Sequence, residues 1–126
     1  MAWVLVAEDD AEMRRLVVEA LRKDGHQVTE ASDGGRLLAR LAEVLRRDPA
    51  LATIDVIVSD IRMPGVTGLD LLERMDRAGM RVPFILMTAF GDDETRRRVE
   101  SAGAVYLDKP LSLAALRHAV LRLTRP

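Results

Sequence analysis

Carboxylates, a hydroxyl and an ammonium fall at the ends of the apolar runs of this chain. "VLVAEDD" closes on Glu8, Asp9 and Asp10, "IDVIVS" runs into Asp60, "PFILMT" closes on Thr88, and "AVYL" is followed, after Asp108, by Lys109. Carboxylates gathered at one place repel one another, and folding favours dispersing them unless a cation sits between them. With no cysteine, and with His26 and His118 lacking any ligand-like spacing, oxygen donors are the route to a metal. An all-oxygen site suits a hard ion, Mg²⁺ before Ca²⁺, because Mg²⁺ keeps waters and accepts few protein ligands. An aspartate beside such an ion, with a hydroxyl and a fixed positive charge, is the set that phosphoryl transfer to a carboxylate needs. Only Lys23 and Lys109 among the 19 basic residues are lysines, so position 109 departs from the chain's own preference for arginine and suggests a compact point charge.

Each residue alone has an ordinary reading. Asp9 or Asp10 would cap a helix, Asp60 would serve a turn, Thr88 would be a strand residue, and Lys109 would snorkel at the surface. Together they depend on the elements that carry them. Apolar runs at 3–7, 54–59, 83–88 and 104–107, with a weaker one at 27–31, predict five strands, and near-continuous apolarity predicts a parallel sheet covered on both faces. Between them run helical stripes: Met13, Leu16, Val17, Ala20 and Leu21; Leu37, Leu38, Leu41 and Leu45; Leu69, Leu72 and Met75; Leu113, Leu116, Val120 and Leu123. Gly25 and Gly79 supply stops, and Asp33 and Ser112 supply caps. The segment 92–102 offers only Val99 and Ala102, with Thr95 a partial third, so a helix there is weakly docked. The alternation predicts a single doubly wound α/β domain over 1–126, five strands and five helices with right-handed crossovers. Ligands of such sheets bind beyond the carboxyl ends of the strands, where all of these polar residues fall.

Composition narrows the function further. With 48% hydrophobic and 31% charged residues the chain is expected to fold. It has no apolar run of the roughly 18 residues a membrane helix needs, and no signal-peptide layout, so the cytoplasm is the expected location. A net charge of -1 gives no footprint for nucleic acid, and Arg96 to Arg98 read as a solvated helix face. His26 and His118 are expected at the surface or in packing. The stretch 46–53 is long and reads as a helix extension and loop.

The combination "VLVAEDD", "SDIRMPGVTG", "MTA" and "LDKP", in this order over essentially the whole chain, resembles the receiver domain of bacterial two-component response regulators. "DIRMPG" and "MTAFGD" are similar to the receivers of enhancer-binding transcription activators. The resemblance implies the flavodoxin-like strand order 2-1-3-4-5 and makes Asp60 the phosphoacceptor. It gives Mg²⁺ to Glu8, Asp9, Asp60 and the backbone carbonyl of Arg62, with Asp9 the more direct ligand, Glu8 acting through water, and Asp10 one place beyond the pair. Thr88 matches the hydroxyl that binds the phosphoryl group, Lys109 the lysine that pairs with the acceptor, and Tyr106 the aromatic that changes rotamer on activation. Gly68 fits a close-approach position, Lys109-Pro110 a cis peptide, and Arg62 and Phe90 the pair that controls entry of hydrolytic water. Glu8 stands where aspartate is commoner.

By the same resemblance the partners are a sensor histidine kinase or histidine phosphotransfer protein, and an output domain or effector at the face of the fourth helix, fifth strand and fifth helix. Homodimerisation on phosphorylation is also implied, with no direct binding of nucleic acid or membrane. The chain is expected to be a phosphoacceptor and not an enzyme acting on other substrates, either as a stand-alone receiver or as part of a longer regulator. Two rivals stand beside this. An aspartyl phosphohydrolase normally has a second acid two residues after the nucleophile, where this chain has Arg62. A pseudo-receiver would have lost acceptor chemistry, which the intact Asp9, Asp60, Thr88 and Lys109 oppose.

Overall fold

A computed structural model of the chain describes residues 2–47, 54–63, 65–77, 79, 82–89 and 91–124, the side chains of 42–47 excepted. Strands β1 (Trp3–Ala7), β2 (Gln27–Ala31), β3 (Val56–Asp60), β4 (Phe84–Thr88) and β5 (Val105–Asp108) alternate with helices α1 (Ala11–Lys23), α2 (Gly34–Arg47), α3 (Gly68–Arg77), α4 (Asp93–Ser101) and α5 (Leu113–Leu123). The sheet is parallel throughout, in the order β2-β1-β3-β4-β5. This is the doubly wound architecture expected from the apolar runs. Three strands differ in their bounds from the expectation: β3 runs Val56–Asp60 instead of 54–59, β4 starts at Phe84 instead of 83, and β5 runs Val105–Asp108 instead of 104–107.

Successive side chains of a strand face opposite ways, and the core divides accordingly. Val4, Val6, Val56, Val58, Ile85 and Met87 pack with Val17, Leu21, Leu116 and Val120, under α1 and α5. Leu5, Ala7, Ile57, Phe84 and Leu86 pack with Leu37, Leu41, Leu69, Leu72, Met75 and Val99, under α2, α3 and α4. Both faces of the three central strands are therefore apolar, which is why their sequences read as unbroken runs. Among the described side chains the helical stripes hold for most positions, but Leu16 and Leu38 are exposed, lying on the outer edges of α1 and α2, and the Leu45 side chain lies outside the described residues.

Capping fixes where the helices begin. Asp10, not Asp9, caps α1, its Oδ1 accepting from the N–H groups of Glu12 and Met13, both at 3.0 Å. Asp33 Oδ1 accepts from Arg36 N–H at 2.8 Å, Asp92 Oδ1 from Thr95 N–H at 2.7 Å, and Ser112 Oγ from Ala115 N–H at 3.1 Å. Helix α4 is the exception in packing, for Val99 is the single fully buried residue of its nine. Charge helps to dock it: Arg98 Nη2 donates to Glu73 Oε1 of α3 at 2.5 Å and its Nε to Oε2 at 3.3 Å, while Arg96 lies 5.4 Å from the centroid of the Tyr106 ring. Arg96, Arg97 and Arg98 are all exposed, as expected of a solvated helix face, and Arg96 and Arg98 make these contacts from it. His26 accepts a bond from Ala2 N–H at 3.2 Å and His118 is exposed, as expected of both. Residues 48–53, in the stretch expected to extend α2, lie outside the described residues.

Candidate functional site

The four motifs meet at the carboxyl ends of β1, β3, β4 and β5. Asp60 ends β3 and is almost fully buried, Glu8 follows β1 with no exposed surface, and Thr88 ends β4 buried. Lys109 N–H donates to the Thr88 carbonyl at 2.9 Å, which ties the start of the β5–α5 loop to the end of β4. The Lys109 side chain points inward, its Nζ 2.7 Å from Asp60 Oδ2 and 2.7 Å from Glu8 Oε1, and the Lys109-Pro110 bond that follows is cis. The second Asp60 oxygen, Oδ1, accepts from Arg62 N–H at 3.0 Å.

The acidic set is close enough to share one ion. Carboxylate oxygens of Glu8, Asp9 and Asp60 lie within 4.8 Å of one another, Asp9 from the solvent side. Among the described residues, Glu8 Oε2 is a buried oxygen with no hydrogen-bond partner. Buried polar atoms are normally satisfied, so this one marks a place where either a proton or a cation belongs. Burial pushes the Glu8 carboxyl up to about 7, nearby Asp60 adding to the rise and the Lys109 ammonium opposing it. On Lys109 burial acts downward, but the hydrogen bonds to Asp60 and Glu8 outweigh it and the net shift is upward, so the ammonium stays charged. An orphaned carboxylate oxygen and two further oxygen donors, with no sulfur or imidazole, fit Mg²⁺.

The framework around these groups is tight. A Cβ on Gly68 would fall 2.6 Å from the Asp60 carbonyl oxygen and 2.8 Å from Ser59 Oγ, so the start of α3 approaches β3 as only glycine allows. Ser59 Oγ donates to the Asp60 carbonyl at 2.9 Å. Arg14 Nη1 donates to the Glu8 carbonyl at 2.8 Å, and its Nε lies 3.4 Å from Glu30. Neither Ser59 nor Arg14 stood out in the sequence. Each acts on a backbone carbonyl, and a contact of that kind leaves no pattern of residue types.

Tyr106 is half-buried beneath Arg96. Arg62, expected to offer its carbonyl, is exposed. Phe90, paired with Arg62 in the expectation about hydrolytic water, lies outside the described residues, as does Pro64.

The response regulator receiver domain family matches residues 4–121, and the chain belongs to that family. It is 32% identical over 119 residues to the transcriptional regulatory protein PdtaR of Mycobacterium tuberculosis, a match that covers 93% of this chain and 54% of PdtaR. It is 36% identical over 111 residues to the DNA-binding transcriptional regulator NtrC of Salmonella typhimurium, covering 87% of this chain and 22% of NtrC. The chain thus spans about half the length of PdtaR and less than a quarter of NtrC. Among solved structures, the receiver domain of the Francisella response regulator 1452 superposes with a TM-score of 0.82 at 29% identity, covering 98% of this chain and 97% of that one. The resemblance carried by the four motifs is therefore borne out for family and fold. Among the described residues no helix is long and apolar enough to cross a membrane.

Proposed function

We propose that this receiver accepts a phosphoryl group on Asp60 from the phosphohistidine of a sensor kinase or phosphotransfer protein, with Mg²⁺ held by Glu8, Asp9, Asp60 and the Arg62 carbonyl. The observation that carries this is the Lys109 ammonium, 2.7 Å from both Asp60 and Glu8 while Glu8 Oε2 stays unpartnered. An Asp60 oxygen attacks phosphorus in line, the phosphorus–nitrogen bond breaks, and the donor imidazole leaves with the electron pair and takes a proton from solvent. Lys109 and the Arg62 N–H hold the two carboxylate oxygens so that the group presents one orientation to the donor. Thr88 offers its hydroxyl to a phosphoryl oxygen. The bound ion would neutralise charge on the oxygens in transfer.

The phosphoryl group then draws on Thr88, and Tyr106 and α4 follow. Poor apolar anchoring makes α4 an inexpensive element to move, so the face of α4, β5 and α5 is where an output domain or effector would read the state. The likeness to PdtaR and NtrC, both named as transcriptional regulators, favours an output in transcription. Its role is that of a signalling module and not of an enzyme turning over outside substrates. The phosphohydrolase alternative lacks its second acid, for Arg62 occupies that position and contributes a backbone N–H.

Intact mass after incubation with acetyl phosphate or phosphoramidate tests this. One phosphoryl addition that requires Mg²⁺ is expected; no addition from small donors or from a phosphohistidine donor, with beryllofluoride also failing to bind, would contradict the reading.

A further inference from the structure

Gly91 lies in the turn between β4 and α4, three residues after Thr88. The glycines at positive φ are Gly25, Gly65, Gly79 and Gly103, so the backbone of Gly91 is one that other residues adopt. Space, not conformation, requires glycine there. A Cβ on Gly91 would fall 1.4 Å from the Tyr106 hydroxyl oxygen, 2.6 Å from Tyr106 Cζ and 2.8 Å from Thr88 Cγ2. The bare α-carbon, the phenol end and the threonine methyl therefore share one volume, and a methyl group at 91 cannot enter it with both neighbours in place.

The other walls of that volume come from β5 and α4. Tyr106 sits within β5, in register with Leu86 of β4. The Arg96 guanidinium of α4 covers its ring at 5.4 Å, a cation–π contact. A phenol ring is the far end of a side chain with two rotatable bonds, so under crowding it yields before the backbone does.

We propose that Gly91 is a positioning residue: its missing side chain lets Tyr106 lie half-buried beneath Arg96, and through the shared volume it ties the tyrosine's position to the rotamer of Thr88, whose methyl borders that volume. The consequence for phosphoryl binding rests on the function proposed above, while the placement of Tyr106 does not. With alanine at 91 the ring swings toward solvent, the Arg96 contact is lost, and Thr88 must turn or shift.

Tyr106 is the single tyrosine of the chain, so incorporation of 3-fluorotyrosine gives one ¹⁹F resonance that reports its position. In Mg²⁺-free buffer the wild-type resonance is expected away from that of the urea-unfolded chain. In Gly91→Ala it should move toward the unfolded position with the far-UV circular dichroism retained, and in Arg96→Gln it should move part of the way. Beryllofluoride with Mg²⁺ should bind Gly91→Ala about fivefold or more weakly than wild type. A Gly91→Ala resonance at the wild-type position would overturn the proposal, and so would one that moves with no change in beryllofluoride affinity.

If Gly91→Ala does not fold, adding Tyr106→Ala empties most of the contested volume and should restore folding; a double variant that stays unfolded would also overturn it. Failure of the wild type to bind beryllofluoride at all would contradict the proposed function instead, and the Mg²⁺-free comparison would still judge the role of Gly91.

Discussion

Lys109 and Asp60, 49 positions apart in the chain, meet at 2.7 Å between Nζ and Oδ2 at the carboxyl edge of the sheet. The contact is nearly buried at both ends, with the lysine side chain 18% exposed and the aspartate 8%. Breaking a buried ion pair by removing one partner typically costs about 3–5 kcal/mol. The solvent that reaches Lys109, and the ability of Glu8 to take up a proton, reduce that here.

Lys109→Met is expected to lower stability by roughly 1–3 kcal/mol at neutral pH. It should also abolish most phosphoryl transfer from small donors. Urea unfolding and intact mass read the two effects separately. A variant of wild-type stability would show that the lysine does not compensate the acidic cluster.

The Glu8 carboxyl rises from 4.5 to about 7, chiefly by burial, so in the absence of metal the folded state holds a proton that the unfolded chain releases. Its contribution is fully present below pH 4.5 and is lost as pH rises through about 7. Across that window Glu8 alone should remove on the order of 2–3 kcal/mol in chelator-treated protein. Glu8→Gln should flatten the pH dependence and be more stable than wild type at pH about 8. Adding Mg²⁺ should narrow that gap by stabilising the ionised wild-type site. Thermal unfolding from pH about 5 to about 8, with chelator and with Mg²⁺, checks all three; equal pH slopes for wild type and variant would contradict the assignment.

At Gly68 a methyl group meets the Asp60 carbonyl, Ser59 Oγ and the Leu86 side chain, all under 3.0 Å. Two of the three belong to the strand end that carries the acceptor. Gly68→Ala is expected to cost about 1–3 kcal/mol, as overpacking of a filled site does. Urea denaturation gives the number, and an unchanged midpoint would mean that α3 can slide away from β3.

Arg98 and Glu73 join α4 to α3 by a two-pronged pair in a helix that buries only Val99 fully. The Glu73 carboxylate raises the Arg98 pKa, so the guanidinium stays charged at every working pH. Glu73→Gln should speed amide exchange across 93–101 several-fold while β1 and β3 keep their protection. High salt should do the same to the wild type. Uniform exchange rates in wild type and variant would place the anchoring of α4 elsewhere.

Much of this was legible in the sequence because chemistry and periodicity coincide. Asp60, Thr88 and Lys109 each close or follow an apolar run, and a parallel sheet brings such ends to one edge. Legibility failed where the determinant was space or a backbone atom. Arg14 and Ser59 act on carbonyls, and Gly91 matters only because Tyr106, fifteen residues on, leans into the place of its absent side chain. Leu16 and Leu38 fit the helical period and still face solvent, since a stripe wider than its neighbours' surface leaves its margin uncovered. The charges of 96–98 concealed two contacts, with Glu73 and with the Tyr106 ring, because an exposed basic run looks the same whether or not a partner stands opposite.

Locating the modification decides whether Asp60 receives the phosphoryl group. Protein incubated with Mg²⁺ and phosphoramidate is reduced with borohydride, which converts an aspartyl phosphate to homoserine, and is then digested and sequenced by mass spectrometry. Homoserine is expected at position 60 in the wild type and nowhere in Asp60→Asn or in the chelator control. Homoserine at position 9 or 10 in the wild type, or continued modification of Asp60→Asn, would contradict Asp60 as the acceptor.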